Sequence, residues 1–485
     1  MGIALGLRLG YARASLGKVK RPLPIVTDLR PRQIKALTDV RAAYAAGYRA
    51  PVLVAATGFG KTHTSAEIIR SSLKRGKRVW FLAHLREILD DTCSRLDYAG
   101  IAYGKIMAGA RSEHHRDVQV VSVQTAVRRS DLKRPDLIIV DECHLAVAST
   151  YRQVLAAAGN PLILGLTGTP CRLDGRGLGE MFDCIVPTCS TGDLITEGLL
   201  APIKYYAPSR PDLTAVHMRA GDYARDELEE VVDQPMITGD AVKHYRKMCH
   251  NRPAVAFCVS VKHAEHVAAS FRMAGYRAVA VSGDSTKQER KDALDGLRSG
   301  SIDVVCNAQL WVAGVDVPGI ECIILLRPTK SLTFYLQAIG RGLRLADGKQ
   351  HCTVLDHAGC VFEHGMPDIQ REWSLEGRKK KKKSDAPAVK QCPMCFGVHE
   401  PAPVCPMCGH IYTTIQRNGP QQVDGELVEF TMREQVKEKK KEQASARTLA
   451  ELEVIARDRG YKPGWARRVM AAREAKRAAA SGILR

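Results

Sequence analysis

The sequence predicts an α/β fold: two tandem lobes built on parallel sheets, then a small four-cysteine module and a basic helical C-terminal segment. Three observations predict it. Short apolar runs with little alternation recur between amphipathic helical patterns, as strands buried on both faces of a parallel sheet do. That arrangement occurs in two separate stretches of the chain. Two C-x-x-C pairs follow, outside either stretch. A length of 485 residues leaves room for two to four domains at roughly 100–200 residues each.

Taken in order, residues 1–23 carry Arg8, Arg13 and Lys18 but no apolar core for a secretory signal, and read as a disordered start. Residues 24–200 form the first lobe. Pro51–Ala56 is a strand ending in a Gly-rich turn. The helix after it places Ala66, Ile69 and Leu73 on one face and stops at Gly76. Arg78–Ala83, Val118–Val123, Leu137–Val140 and Leu162–Leu166 are further strands. Residues 201–239 read as a linker with a short helix. The second lobe, 240–375, has strands at Ala254–Val259, Arg277–Val281, Ile302–Cys306 and Ile320–Leu326. Its helices are Lys262–Ala274, closed by Gly275, and Thr286–Leu297. A basic linker (376–390), the cysteine module (391–412) and a polar, basic linker (413–447) lead to a helical segment (448–485). The pattern of that last segment breaks at Gly460–Gly464.

With 72 Lys and Arg against 52 Asp and Glu, the chain carries +20, which points to a polyanionic partner such as nucleic acid. Half of the surplus, +10, falls between Glu376 and Arg485. No apolar run reaches the length of a transmembrane helix, which excludes that class of membrane protein. The 15 cysteines are odd in number, and most sit inside apolar runs, as buried free thiols do. This reads as a reducing cytoplasm.

Ala55-Ala56-Thr57-Gly58-Phe59-Gly60-Lys61-Thr62 follows a strand and opens a helix, the context a phosphate-binding loop requires. Glycines let backbone N–H groups approach phosphate, and the helix N-terminus favours its charge. Lys61 would reach the β- and γ-phosphates of ATP, and the Thr62 hydroxyl would ligate Mg²⁺. Leu137–Val140 ends in Asp141-Glu142-Cys143-His144. Asp141 can hold Mg²⁺ through water and Glu142 can take the proton of the attacking water. In the second lobe, Arg341 and Arg344 stand three apart and share a face if the helix continues through both. Two guanidinium groups there could act as arginine fingers.

Together these motifs resemble superfamily-2 helicases of the DExH type, and among them the RadD-like helicases of bacteria and phages. The likeness runs from about Leu29 to the C-terminus. It implies two RecA-like lobes with ATP in the cleft between them. Leu29-Arg30-Pro31-Arg32-Gln33 is similar to the family's first motif, so Gln33 would read adenine. Thr57, Gly58, Gly60, Lys61, Thr62 and Asp316, the last within Gly314–Pro318, would bind nucleotide. Phe81–Glu87 and Ser122–Thr125 resemble strand-gripping motifs, implying nucleic-acid contacts by His84, Arg86, Gln124 and Thr125. His144 and the run Thr167-Gly168-Thr169-Pro170 would couple nucleotide state to strand movement. Gly168 stands where the family usually has Ala. Tyr335-Leu336-Gln337 through Arg344 looks like the sixth motif, implying catalytic roles for Gln337, Arg341 and Arg344 beside Lys61, Asp141 and Glu142.

Cys392, Cys395, Cys405 and Cys408 form two knuckles that can close a tetrahedral Zn²⁺ site. A closed four-sulfur site is structural, and His399 and His410 are expected at the surface. In the tail, Lys379–Lys383, Lys437–Lys441, Arg467 and Arg468 could tether a phosphate backbone. Trp465 is expected to pack between the last helices. The function expected is an ATP-dependent DNA helicase or translocase of the bacterial or phage-infected cytoplasm. Single-stranded or branched DNA would be its substrate, and recombination or single-strand-binding proteins its partners. RNA remodelling and an ATP-regulated binding platform are the alternatives.

Overall fold

A computed structural model describes residues 29–111, 113–129, 131–146, 149–172, 176–208, 211–308, 319–376, 388–412, 442–461 and 463–480. The disordered start expected for residues 1–23, Asp316 and both lysine runs of the tail lie outside the described residues. The chain divides into two units, Met1–Tyr412 and Thr413–Arg485.

The first lobe is a seven-stranded sheet: β1 (Pro51–Val54), β2 (Val79–Ala83), β3 (Gly104–Ile106), β4 (Val118–Ser122), β5 (Leu137–Asp141), β6 (Leu162–Thr167) and β7 (Cys184–Pro187). Their order is β3-β4-β2-β5-β6-β1-β7, and every pairing is parallel. Every residue of β1 and β2 is buried, which is why their sequences show no alternation. The second sheet contains β8 (Ile203–Tyr206), β11 (Ala254–Cys258), β12 (Ala278–Val281), β13 (Val304–Ala308), β14 (Cys322–Leu325) and β15 (Cys352–Asp356). It runs β12-β13-β11-β14-β15-β8, again all parallel. A short hairpin, β9 (Met218–Arg219) and β10 (Asp222–Tyr223), stands apart from it.

The strands β3, β7 and β15 and the segment expected as a linker differ from the sequence reading. The segment expected as a linker supplies β8, an edge strand of the second sheet, held where the Tyr205 hydroxyl donates to the buried Asp356 carboxylate at 2.8 Å. It then supplies the hairpin, the helix Arg225–Val232 and the start of the helix Pro235–Cys249. Four residues in β8 are too few to show a period. The helices Val261–Met273 and Lys287–Ser299 lie where expected. The first buries Ala264, Val267, Ala268 and Phe271 under a Ser260 cap, and the second starts on a Thr286/Glu289 capping box.

The cysteine module extends the β8 edge. Its hairpin, β16 (Lys390–Gln391) and β17 (Val398–His399), brings Gly397 opposite Tyr206, and Ala207 N–H donates to Phe396 O at 3.0 Å. Val398 is fully buried in the main apolar core. The module thus covers an edge that would otherwise expose unpaired backbone.

In the second unit, the helices Leu449–Asp458 and Trp465–Ala480 bury Leu452, Ile455 and Ala466 against one another. Trp465 packs against this cluster, its ring centroid 4.6 Å from that of Tyr461.

Candidate nucleotide cleft and nucleic-acid groove

The phosphate loop leaves the C-terminal end of β1 and turns into the helix Lys61–Leu73. Gly60 caps that helix with φ +94, a conformation that L side chains rarely adopt. A Cβ there would also strike the Gln33 amide at 2.5 Å. Gln33 is buried. Its Nε2 donates to Phe59 O at 3.0 Å and its Oε1 accepts from Arg30 N–H at 2.9 Å, so it braces the loop from the first helix, Pro31–Ala45. Lys61 Nζ donates to Ala55 O at 3.1 Å, and Thr62 is the second residue of the helix.

β5 delivers the two carboxylates. Burial, and Glu142 beside it, push the Asp141 carboxyl up to about 7. Glu142 takes a left-handed φ of +47, and its Oε2 is buried without a hydrogen bond, 3.4 Å from His144 Nδ1. Adjacent half-buried carboxylates, one with an oxygen that has no hydrogen bond, are a donor set that fits a divalent cation or a polarised water.

A directed hydrogen-bond chain starts here. Burial lowers the His144 pKa, so the ring is neutral near pH 7. The Thr167 hydroxyl donates to Thr169 O at 3.1 Å. It therefore accepts from Thr169 N–H and from His144 Nδ1–H, both at 3.1 Å. The Thr169 hydroxyl donates to Thr333 Oγ1 at 2.8 Å, and Thr333 belongs to the second lobe. Sequence reasoning missed Thr333, since no local signal marks a hydroxyl whose partner is 164 residues away.

The helix Leu332–Gly342 forms the opposite wall. A Cβ on Gly340 would stand 2.7 Å from Thr57 Cγ2, so glycine lets this helix lie directly on the phosphate loop. A cavity between the lobes is lined by Thr57, Lys61, Glu142, Gly168 and Thr169 on one side and Gln337, Gly340 and Leu343 on the other. Arg371 and Trp373 close it. The expectation that Arg341 and Arg344 share a helical face is corrected. The helix ends at Gly342, leaving Arg341 in its last turn and Arg344 beyond the cap residue Leu343. Neither arginine is among the residues lining the cavity, and Leu343 between them is.

A second cavity, on the first lobe, is lined by His84, Arg86, Gln124 and Thr125, the four candidate nucleic-acid contacts, with Arg128 and Arg129. Gln124 Nε2 donates to His84 O at 3.1 Å, and Arg86 reaches Ala108 O at 2.9 Å. Arg128 and Arg129 were not singled out from sequence, although only Ala126 and Val127 separate them from the Ser122–Thr125 run.

The four cysteine sulfurs lie within 4.8 Å of one another, with Cys392–Cys408 at 3.6 Å and Cys395–Cys405 at 3.8 Å. Zn–S bonds of about 2.3 Å in a tetrahedron require S–S separations of roughly 3.8 Å, so the cluster fits a four-coordinate metal. His399, expected at the surface, is instead buried, with Nε2 2.8 Å from the Tyr412 hydroxyl. It braces the module because β17 turns it inward.

Two parallel-sheet lobes with a phosphate loop, paired carboxylates and an inter-lobe cleft define the architecture of a two-lobed, helicase-like ATPase. Family comparison agrees: residues 27–172 match the type III restriction enzyme res subunit model, and residues 240–346 match the helicase conserved C-terminal domain. The chain is 31% identical over 385 residues to the 51.5 kDa protein of a Lactococcus phage, covering 78% of this chain and 82% of that one. It is also 31% identical over 256 residues to a Saccharomyces cerevisiae protein assigned as the ATP-dependent helicase IRC3, covering 50% of this chain and 37% of that protein. Among solved structures, a fragment assigned to the HsdR subunit of a Vibrio vulnificus type I restriction enzyme shares the fold. Its TM-score is 0.55 at 22% identity, covering 69% of this chain and 65% of that one. The chain belongs to superfamily 2 of the helicases. No helix of the described residues is long and apolar enough to cross a membrane.

Proposed function

We propose that this chain is an ATP-dependent DNA helicase or translocase of the DExH type, akin to the RadD-like enzymes. The observation that carries the reading is the hydrogen-bond chain from His144 through Thr167 and Thr169 to Thr333. His144 Nδ1 stands 3.4 Å from Glu142 Oε2, so the chain runs from beside that carboxylate to the second lobe. Lys61 and the loop amides hold the phosphates, Glu142 accepts the proton of the attacking water, and Arg341 and Arg344, at the end of the second-lobe helix that walls the cleft, take the finger role. Asp141 and Thr62 would hold Mg²⁺, which supplies charge neutralisation at the phosphates. Loss of the γ-phosphate contact alters the position of Glu142 and His144, and Thr333 receives the change. His84, Arg86, Gln124, Thr125, Arg128 and Arg129 contact the strand backbone without reading sequence.

DNA as the substrate is supported by the restriction-enzyme description of the matching family. ATP turnover measured with single-stranded DNA, duplex DNA and RNA tests this. The expected result is stimulation by DNA, and stimulation by RNA alone would replace the reading with RNA remodelling.

Thr333→Val removes the second-lobe end of the chain. A buried hydrogen bond contributes about 1–1.5 kcal/mol, so DNA-stimulated turnover should fall by roughly tenfold. Unstimulated hydrolysis should stay near normal, and Thr333→Ser should restore coupling. An equal loss in both activities would assign Thr333 to packing.

The cysteine module holds one structural Zn²⁺. Metal analysis of freshly purified, reduced protein should find one zinc per chain, and Cys392→Ser or Cys405→Ser should release it while the lobes stay folded. Zinc-free wild-type protein overturns the assignment.

A further inference from the structure

We infer that Lys349 is a positioning residue for Arg344, holding the backbone turn that bears this arginine directly after Leu343 of the cleft wall. The inference rests on the arginine-finger reading above. The last carbonyls of a helix have no intrahelical donors and need partners from elsewhere. After the helix Leu332–Gly342, three successive carbonyls obtain them. Lys349 Nζ donates to Gly342 O and, at 2.8 Å, to Arg344 O. Ala201 N–H donates to the carbonyl between them, Leu343 O, at 2.8 Å.

The third ammonium proton goes to Ile320 O, just ahead of β14. A lysine ammonium has three donors and no acceptor, so the arrangement uses all of it. The chain returns Lys349 to the helix end through a turn at Gly348, with φ +78 and Lys349 N–H on Ala346 O at 3.1 Å.

The partners are carbonyl oxygens. Lys330, by contrast, forms an ordinary ion pair with Glu363 at 2.7 Å. Lys349 therefore acts through shape. Its three bonds fix the backbone on both sides of Leu343, a residue of the cleft wall, and tie that turn to the strand entering the sheet beside it. Without the ammonium, Gly342 O and Arg344 O would lose these donors, and the turn would keep its tie to Ala201 through Leu343 O but lose those on either side. A guanidinium displaced by about 1 Å from a transferring phosphoryl group loses much of its effect on the transition state.

A helix cap that merely stabilises the fold would give the same contacts, so the test must separate the two. Lys349→Met, Arg344→Ala and the double variant are assayed for ATP turnover at saturating DNA. Rates are normalised to folded protein by thermal unfolding and nucleotide titration. The expected result is a kcat lowered by roughly 10–100-fold in Lys349→Met with little change in KM for ATP. In the Arg344→Ala background, Lys349→Met should have no further effect, because groups acting as a unit are not additive.

If Lys349→Met yields no folded protein, Lys349→Arg carries the same test. It keeps the charge, but a planar fork cannot meet three converging carbonyls, so its kcat should fall in the same non-additive way. Lowered stability with unchanged kcat per folded molecule overturns the inference. So does a loss that multiplies that of Arg344→Ala, and in both cases the finger reading stands. An unchanged kcat in Arg344→Ala overturns the finger reading and this inference with it.

Discussion

Replacing Arg344 with alanine is expected to lower the maximal rate of ATP hydrolysis by about 10³–10⁵-fold while changing ATP affinity only slightly. Arg344 directly follows Leu343, which lines the cleft opposite Lys61 and Glu142. On the proposed finger reading, a guanidinium reaching the cleft from that turn would meet charge that develops on the transferring phosphoryl group and is weaker in the ground state. Binding and turnover should therefore separate. Measuring kcat beside nucleotide affinity checks this, and a variant altered only in affinity would make Arg344 a ground-state contact. Arg341 sits one turn earlier, inside the helix end, so its replacement should cost less.

Glu142→Gln should leave ATP bound and almost uncleaved, with turnover lowered by about 10²–10⁴-fold. The amide has nearly the size of the carboxylate but cannot take a proton from water. Glu142 lines the cleft and its Oε2 has no hydrogen bond, so the wild-type carboxylate keeps acceptor capacity that the protein does not use. His144 Nδ1 stands 3.4 Å away, its N–H directed to Thr167. Single-turnover hydrolysis together with a direct binding measurement distinguishes lost chemistry from lost affinity. Near-normal turnover would remove Glu142 from the base role and move attention to an indirect path for the proton.

What the sequence by itself determined is local. Unalternating apolar runs marked the strands, because parallel strands are buried on both faces. Cap residues and apolar faces marked the helices, including the pair that closes the chain. The phosphate loop, the Asp141–Glu142 pair and the two cysteine knuckles were legible because their chemistry needs fixed spacing along a few residues. What only the tertiary structure decided is which distant residues meet. Nothing near Thr333 says that it accepts from Thr169, and nothing near Gly340 says that it lies on Thr57. The four residues of β8 belong to the second sheet only because Cys352–Asp356 lies beside them. Arg344 leaves the helical face that its spacing from Arg341 suggests because Lys349 and Ala201 take up the terminal carbonyls. His399 is inside because its hairpin folds against β8. Periodicity reports how a residue faces its own element, whereas a partner is set by crossovers and packing between elements far apart in the chain.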